Sequence, residues 1–481
     1  MRLLLYLIIY FLCASFLTAA GVRSLSSNLK NANNRADYII IAPASYYSLA
    51  ETLAAYRSQK NNFTTMVVNI DTILAQFGTS VSPDTALKNF IQYAVKNWKD
   101  PKPQYFVLAG NTNSVPSHPV PETITYSGIS PYDTTLMIDR WFVEDYDSQG
   151  NLEVNACIGR LPAWDSLSLS VMISKTIKYE QEPVGVWCSR AVCLADYKSE
   201  DGAVFEDHAD TLKSILGSIW TDTISVDIRN SSPHHLSSTG FLDLWNKGAA
   251  IISYCGHANQ VLLSNSHYFK TESVDSLNNG DHLPVCLFGG CDLTYDTRPP
   301  LSIPTNLLSK DGGGAVAVVS SEGLMYDSNV LYFYSSMMRT MIQNPNDPIG
   351  KSFKAASSEY VNDISERFTF LGDPAITVKH PAILTIVQHP LSDLKSYTLM
   401  QNYPNPFNPT TVITYNLPAA TNVTLIVYDM LGKEVKTLVN NSQSAGLHSV
   451  IFNARNLTSG IYFYRLHAGS FTETKKLVLM K

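Results

Sequence analysis

A chain of 481 residues is too long for one ordinary hydrophobic core, so we expect two or three domains. Its hydrophobic content of 45% and its mixed charges are typical of a globular protein and exclude an intrinsically disordered one. The net charge of −6, without a cluster of lysines and arginines, argues against nucleic acid as a partner.

The N-terminal stretch, MRLLLYLIIYFLCASFLTAAG, has the composition of a secretory signal peptide. It contains one arginine, an apolar run over 3–12, and small residues up to Ala20. The apolar run is shorter than a helix that spans a bilayer requires. We therefore predict a signal peptide over 1–20, cleavage near Ala20 and a polar linker over 21–36.

The next part of the chain alternates strand-like and helix-like segments. Short apolar runs predict buried strands, and apolar residues three or four positions apart predict helices. Strands are expected at 37–42, 64–70 and 104–110, with helices at 48–60 and 83–98. This βαβαβ order predicts a parallel sheet with helices on both faces. A looser region over 111–154 precedes a strand-like run at 157–163 and a helix at 166–182.

The alternation resumes at 190–195 and continues to about residue 380, so we predict two α/β subdomains, 37–185 and 186–380, with largely parallel sheets. A linker is expected over 381–396. Residues 397–481 contain short β-type runs separated by Gly and Asn turns, without helical periodicity. This last segment predicts a small all-β sandwich.

Two apolar runs of the second subdomain stop at residues able to do chemistry. GAAIISYCGHANQ reaches His257, and LPVCLFGGCDLTYD reaches Cys291. Ligands bind at the carboxyl ends of strands in parallel α/β sheets, so both side chains are expected at one edge. A neighbouring imidazolium lowers the pKa of a thiol from its usual value of about 8.5 and can protonate a leaving amine. The pattern therefore predicts a nucleophile and its base.

The glycines beside these residues suit an oxyanion-binding site. Gly289 and Gly290 permit a sharp turn that leaves the main chain near Cys291 open to a substrate. The N–H of Cys291 could then act with one from the segment Gly256 to Ala258 to hold an oxyanion. The alternative is structural: His257 would be an ordinary strand-end residue and Cys291 a core thiol.

Two weaker signals concern metal and disulfide sites. DYDSQGN places Asp145 and Asp147 at alternate positions before a glycine, as at the start of a calcium loop. No Glu stands at the twelfth position, which favours a polar turn instead. Cys188 and Cys193 could form a local disulfide, because an exported protein can keep such bonds.

YCGHA and LFGGCD, on consecutive strands, resemble the His and Cys blocks of the gingipain family of cysteine peptidases, which share the caspase-like fold. YIIIAP, YFVLAGNTNSVP, IGRLPA, YEQEP and FLGDPAITV recur in the family's order, so the resemblance covers 37–380. It implies that His257 is the general base and Cys291 the nucleophile. It also implies that no cofactor is required for the chemistry and that structural calcium could bind.

The sequence departs from the family pattern at several positions. Ala258 stands where the family usually has Gly, which narrows the space near the main chain. Phe205 falls about where arginine-cleaving members carry an acid, so a preference for Arg or Lys is not carried over. Candidates for the family's His-orienting acid and for a pocket wall are Asp196, Glu200 and Tyr326.

The C-terminal segments NYPNPFNPTT, YDMLGKEVKTL and NLTSGIYFYRLHAGSFTETKKLVLMK resemble the sorting domain of the type IX secretion system, over 397–481. The resemblance implies handling by that machinery, a transient association with the outer membrane, and removal of the domain. The mature protein would then be released or attached to the cell surface. An ordinary adhesive sandwich is the alternative.

The expected function is that of a secreted cysteine endopeptidase acting on protein or peptide substrates. One alternative is a sortase-like peptidase that cuts sorting domains. Another is a catalytically silent surface binding protein that keeps the fold, a reading that Ala258 favours.

Overall fold

The computed structural model describes most of the chain: 22–23, 28–126, 129–146, 152–196, 205–217, 219–220, 222–228, 234–293, 302–325, 327–359, 367–380, 397–399, 401–402, 405–407, 410–443, 446–455 and 457–480. The predicted signal peptide over 1–20 and the linker over 381–396 lie outside these residues. So do three of the predicted site residues: Asp147, Glu200 and Tyr326.

The predicted βαβαβ order of the first half is confirmed. The run YIIIA is buried at all five positions, as a β-branched segment in a covered sheet should be. The strands are β1 (Val22–Arg23), β2 (Tyr38–Ala42), β3 (Thr65–Asn69), β4 (Tyr105–Ala109), β5 (His118–Tyr126), β6 (Ile129–Ile138), β7 (Glu144–Tyr146), β8 (Leu152–Val154) and β9 (Cys157–Leu161). The helices are α1 (Tyr47–Asn61), α2 (Ile70–Phe77), α3 (Pro83–Asn97) and α4 (Ser166–Gln181).

Local signals fix several helix ends. Pro83 begins α3, where its missing N–H leaves no bond unmade. Asp165 accepts the N–H of Ser168 and so caps the start of α4. The sequence does not predict α2 or the antiparallel hairpin of β5 and β6, which lies within the region expected to be looser.

The second half repeats the alternation. Its strands are β10 (Arg190–Ala195), β11 (Asp222–Asp227), β12 (Ile251–Cys255), β13 (Ala258–Asn259), β14 (Leu262–Leu263), β15 (Phe269–Lys270), β16 (Val285–Gly289), β17 (Ala317–Ser321) and β18 (Phe368–Leu371). Its helices are α5 (Phe205–Leu216), α6 (Ser238–Asn246), α7 (Ile303–Ser309), α8 (Asp327–Gln343) and α9 (Ile349–Glu359).

One 11-stranded sheet runs through both predicted subdomains, in the order β1-β3-β2-β4-β9-β18-β17-β16-β12-β10-β11. Up to Pro381 the chain forms a single compact unit. The predicted boundary near residue 185 therefore separates two halves of a sheet rather than two compact bodies.

The direction of the strands reverses once, between β17 and β18. These two strands pair antiparallel, with Ser321 opposite Phe368, whereas the other neighbours in the sheet pair parallel. The amino end of β18 consequently lies at the edge where β12, β16 and β17 have their carboxyl ends. Residues just before β18 are thereby brought to the edge that carries the predicted catalytic pair.

A buried ionic network connects α1 with the turn after β18. The side chains of Arg57 and Asp373 are both fully buried, and Arg57 Nε lies 2.8 Å from Asp373 Oδ2. Tyr38 donates its hydroxyl to the same carboxylate at 2.8 Å, and Glu180 pairs with Arg57 Nη1 at 2.9 Å. Removing one partner of such a pair leaves an uncompensated charge inside the protein.

We expect Asp373→Ala to lower the free energy of unfolding by about 3–5 kcal/mol, because the Arg57 guanidinium loses a buried partner. The control is Asp347→Ala, which breaks an exposed pair with Lys351 and should change stability by only about 0–1 kcal/mol. Urea denaturation followed by tryptophan fluorescence measures both. Equal effects of the two substitutions would contradict a structural role for the buried network.

The C-terminal unit, Ala382–Lys481, contains the predicted all-β sandwich. Its strands are β19 (Thr398–Leu399), β20 (Thr410–Leu417), β21 (Thr421–Tyr428), β22 (Glu434–Gln443), β23 (Gly446–Asn453), β24 (Gly460–Ala468) and β25 (Phe471–Leu479). Two antiparallel sheets, β19-β20-β23 and β22-β21-β24-β25, contribute to one apolar core.

Candidate active site

The strands that lead to His257 and Cys291 are direct neighbours. β12 and β16 pair parallel, with Cys255 opposite Gly289. The N–H of Gly256 donates to Gly289 O at 3.1 Å, which continues the pairing beyond the strands. Each predicted catalytic residue stands two positions past this matched pair. The structure therefore brings His257 and Cys291 to the same edge of the sheet, at the ends of adjacent strands, as the sequence predicts.

Glycine permits the two strand ends to touch. A Cβ atom on Gly290 would lie 2.6 Å from the Cβ of Ala258 and 2.7 Å from Gly256 O. Both distances are shorter than real Cβ contacts, so the position accepts no side chain without movement. Ala258 thus fills space directly above Gly290 and fixes the separation of the two loops.

The main chain of His257 is held on both sides by a buried polar cluster. Its N–H donates to Asp196 Oδ2 at 3.1 Å, and its carbonyl accepts the N–H of Ser264 at 2.8 Å and the hydroxyl of Tyr254. Asp196 is fully buried and also accepts the Ser264 hydroxyl at 2.8 Å. A Cβ on Gly256 would lie 2.3 Å from the Cβ of Asp196. Asp196, the predicted His-orienting acid, therefore contacts the backbone of His257.

The imidazole of His257 packs against an aromatic side chain. The ring of Phe205 meets it edge to face, with centroids 5.2 Å apart and an interplanar angle of 83°. Phe205 is the first residue of α5 and is buried. The side chain that replaces the expected acid of arginine-cleaving relatives is thus an apolar wall beside His257.

The thiol of Cys291 is turned toward the end of β17. The N–H of Met325 donates to Sγ at 3.5 Å, and the thiol donates to Met325 O at 3.8 Å. Across the described part of the site, no hydrogen bond joins this thiol to His257. Burial raises the pKa of Cys291 above its ordinary value, and the Asp292 carboxylate adds to the rise, whereas the Met325 N–H and the Arg367 charge oppose it. Burial and Asp292 therefore favour the neutral thiol over the thiolate.

Of the predicted oxyanion donors, two are already occupied. The Gly256 N–H pairs with Gly289 O, and the His257 N–H pairs with Asp196. The N–H of Cys291 makes no hydrogen bond to any residue that the structure describes, so it is available to a substrate oxygen. The contact with Met325 has no local sequence signal, because it depends on how the loop after β17 folds over Cys291.

Residues 31–379 match the model of Peptidase family C25, and this match covers more than half of the chain. The chain belongs to peptidase family C25. Gingipain R2 of Porphyromonas gingivalis is 23% identical over 366 residues, covering 71% of this chain and 46% of that protein. Gingipain R1 of the same organism is 22% identical over 243 residues, covering 46% of this chain and 24% of that protein. The C25 chain thus spans less than half the length of these relatives.

Solved gingipain structures share the fold. The crystal structure of the Arg-specific cysteine proteinase gingipain R superposes with a TM-score of 0.59 at 17% identity, covering 94% of this chain and 99% of the other. A complex of the pro- and mature domains of RgpB from Porphyromonas gingivalis also gives a TM-score of 0.59 at 17% identity, covering 92% and 100%. At this identity the comparison establishes a gingipain-like α/β fold and not a shared specificity.

The C-terminal sandwich matches a known sorting domain. Residues 401–480 match the secretion system C-terminal sorting domain. A domain of this kind implies secretion or a cell-surface location for the C25 chain. Over the described ranges, no helix is both long and apolar enough to cross a membrane.

The six cysteines that follow the predicted signal peptide are free thiols. The bridge between Cys188 and Cys193, which the sequence left possible, is not formed: Cys193 lies inside β10, and burial raises its pKa to about 12. Cys291 alone among the six is only partly buried, and the remaining buried thiols are Cys157, Cys255 and Cys286.

Of the two predicted calcium ligands, Asp145 lies among the described residues and Asp147 lies outside them. Asp145 forms an ion pair with Lys96, and their hydrogen bond lowers the pKa of the carboxyl. In the ranges that the structure covers, no group of three or more His, Cys, Asp or Glu side chains is arranged to hold a metal ion. Calcium binding by this chain stays a prediction.

We expect Gly290→Ala to lower the free energy of unfolding by about 1–3 kcal/mol, because the new methyl group meets Ala258 and Gly256 O. The double variant with Ala258→Gly should recover part of the loss, since only the carbonyl contact remains. Denaturation midpoints of the two variants measure this. A single variant as stable as the parent would contradict the tight contact between the strand ends.

Proposed function

We propose that this C25 chain is a secreted cysteine endopeptidase in which Cys291 is the nucleophile and His257 the general base and acid. The proposal rests mainly on the pairing of Cys255 with Gly289, because that register sets both residues at one edge of the sheet. Membership of family C25 supports peptidase chemistry. The partly buried thiol of Cys291, unlike the five buried ones, supports the choice of nucleophile.

In the proposed reaction, the Cys291 thiol gives its proton to His257, and the sulfur attacks the carbonyl carbon of the scissile bond. The N–H of Cys291 holds the oxyanion of the tetrahedral intermediate. When the C–N bond breaks, His257 returns the proton to the leaving amine and a thioester remains. Water that gives its proton to His257 then hydrolyses the thioester and restores the thiol.

The thiol has to change partners during this cycle. In the structure its hydrogen points to Met325 O, whereas proton transfer requires it to face His257. A rotation about the Cβ–Sγ bond of Cys291 redirects the hydrogen and leaves the sulfur beside the Met325 N–H, and catalytic hydrogen bonds often tighten only when a substrate is bound. The N–H of Met325 can still donate to the sulfur after the proton has left, so it would stabilise the thiolate.

Asp196 would act on catalysis through the backbone. By accepting the N–H of His257, Asp196 fixes the position of the backbone that carries the imidazole. Phe205 limits the rotation of the ring from one side. Because Phe205 offers no charge, we infer that cleavage does not require Arg or Lys in the substrate.

We expect Phe205→Ala to lower kcat/KM by roughly 3- to 10-fold, since the edge-to-face contact with His257 is worth about 0.5–1.5 kcal/mol. Phe205→Leu, which keeps an apolar wall, should retain most of the activity. Steady-state kinetics on one good peptide substrate compares the two variants. If Phe205→Ala cleaves as well as the parent, the wall does not position the imidazole.

Cleavage of a mixed peptide library, read by mass spectrometry, tests the proposed function. The full chain is compared with Cys291→Ala and His257→Ala, each with and without calcium. We expect both variants to lose activity by about a thousandfold or more, since residues that act as one unit cannot replace each other. His282→Ala, which removes a histidine outside the site, should leave the cuts unchanged.

One observation favours a second candidate function. The raised pKa of Cys291 and its contact with Met325 are also what a silent binding protein would show. If folded full-length protein makes no Cys291-dependent cut in either calcium condition, this reading replaces the peptidase. Cuts made only by the parent would establish the peptidase and reveal its preferred residue.

For localisation, we propose export by the type IX secretion system. The match over 401–480 supports recognition of the sandwich by that machinery, and removal of the domain would follow outside the cell. In a host with that system, the chain truncated after residue 396 should remain inside the cell, whereas the full chain should reach the medium or the surface. Export of the truncated chain would contradict the proposal.

A further inference from the structure

The loop that follows β17, Glu322–Met325, lies against the nucleophile, and we name it the Met325 loop. Its last residue donates an N–H to Cys291 Sγ at 3.5 Å. Gly323 O accepts the N–H of Asp292, the residue after the nucleophile, at 2.7 Å. The position of the thiol therefore depends on where the Met325 loop is held.

A two-pronged ion pair holds this loop. Arg367 Nη1 and Nη2 donate to the two carboxylate oxygens of Glu122 at 3.0 and 2.6 Å, and Nη1 also donates to Leu324 O at 3.2 Å. Gly323 has a φ of 66°, and a Cβ there would lie 2.8 Å from both Arg367 Nη1 and Glu122 Oε2. The pair thus packs directly on the main chain of the loop.

The partners reach the site from distant parts of the chain. Arg367 immediately precedes β18, and the antiparallel pairing of β18 with β17 brings it to the catalytic edge. Glu122 lies on β5, in the hairpin of the first half. The hairpin makes a second contact, because Glu322 accepts the N–H of Met137 on β6 at 2.6 Å. The first half of the sheet therefore braces a loop of the second half.

We propose that Glu122 and Arg367 are positioning residues for the nucleophile: they hold the Met325 loop so that its N–H supports the thiolate of Cys291. The inference takes Cys291 as the nucleophile of the proposed function. A hydrogen-bond donor directed at the Cys291 sulfur favours the thiolate over the neutral thiol. The charge of Arg367 also lowers the pKa of Cys291, against the effects of burial and of Asp292.

The effect of one substitution separates positioning from simple charge. Glu122→Gln removes an anion whose charge raises the pKa of Asp292, the residue next to Cys291. If only charge mattered, the pKa of Cys291 would fall or stay the same. If the pair positions the loop, loss of its carboxylate frees Arg367, weakens the Met325 donor and raises the pKa of Cys291.

The test is the rate at which iodoacetamide alkylates Cys291 in the full chain, followed from about pH 5 to about pH 10 by mass spectrometry of the Cys291 peptide. We expect the midpoint of this profile to rise by about 0.5 pH unit or more in Glu122→Gln. Arg367→Lys keeps the positive charge but cannot hold Glu122 and Leu324 O together, so its midpoint should rise too.

The matched control is Asp222→Asn, which breaks a partly buried arginine pair, with Arg190, at the far edge of the sheet. It should leave the midpoint unchanged. A midpoint in Glu122→Gln that equals or falls below that of the parent would overturn the proposal. If Glu122→Gln does not fold, Arg367→Lys decides, and an unchanged midpoint there would overturn it as well.

The alkylation profile needs no peptide substrate, so its outcome is independent of the cleavage assay. Shifted midpoints together with no Cys291-dependent cleavage would sustain the positioning role and reject the peptidase. Cys291-dependent cleavage with unshifted midpoints would support the peptidase and reject the positioning role of Glu122 and Arg367.

Discussion

The parallel pairing of β12 with β16 is the constraint on which the site depends. It sets Cys255 opposite Gly289, and this register decides where the residues after the two strands lie. A slip of one residue would turn each side chain to the opposite face of its strand and separate His257 from Cys291. The segments that follow β12 and β16 stay in contact because Gly256 and Gly290 leave room for Asp196 and Ala258. Backbone pairing and the small size of glycine thus place His257 and Cys291 at one edge of the sheet.

The reversal at β18 gives the first half of the sheet a part in the same site. If β18 ran parallel to β17, Arg367 would lie at the opposite edge of the sheet, far from Cys291. Because it runs antiparallel, Arg367 meets the Met325 loop and the hairpin that carries Glu122. The buried contact of Arg57 with Asp373, directly after β18, joins the same halves at the other end of the strand. The two halves therefore form one framework around the reacting groups.

Much of this fold could be predicted from the sequence. The buried strand Tyr38–Ala42 is an unbroken apolar run, the strand Ile251–Cys255 is interrupted only by Ser253, and the helix Pro83–Asn97 has its proline at the first turn. The edge that carries His257 and Cys291 follows from the alternation of strands and helices, because parallel strands end at one edge. Local pattern and a general rule of sheet topology are sufficient for these features.

The remaining features depend on contacts between distant residues. Glu122 and Arg367 are 245 positions apart, and no local sequence pattern predicts their ion pair. Asp196 is close to the site as predicted, but only the fold shows that its carboxylate binds the backbone N–H of His257. Spacing left a bridge between Cys188 and Cys193 possible, and only the fold shows that Cys193 is enclosed within β10. Sequence reasoning finds the candidate residues His257 and Cys291, while tertiary packing decides which residues support them.

The most direct test of the central claim is the alkylation rate of Cys291 at pH 6, compared between the parent and His257→Ala. At this pH an isolated thiol reacts slowly, because very little of it is ionised, whereas an adjacent imidazolium maintains a population of thiolate. If the two residues meet as nucleophile and base, the loss of His257 should slow alkylation by about tenfold or more. Equal rates in the two proteins would contradict the account and leave Cys291 as an ordinary strand-end thiol.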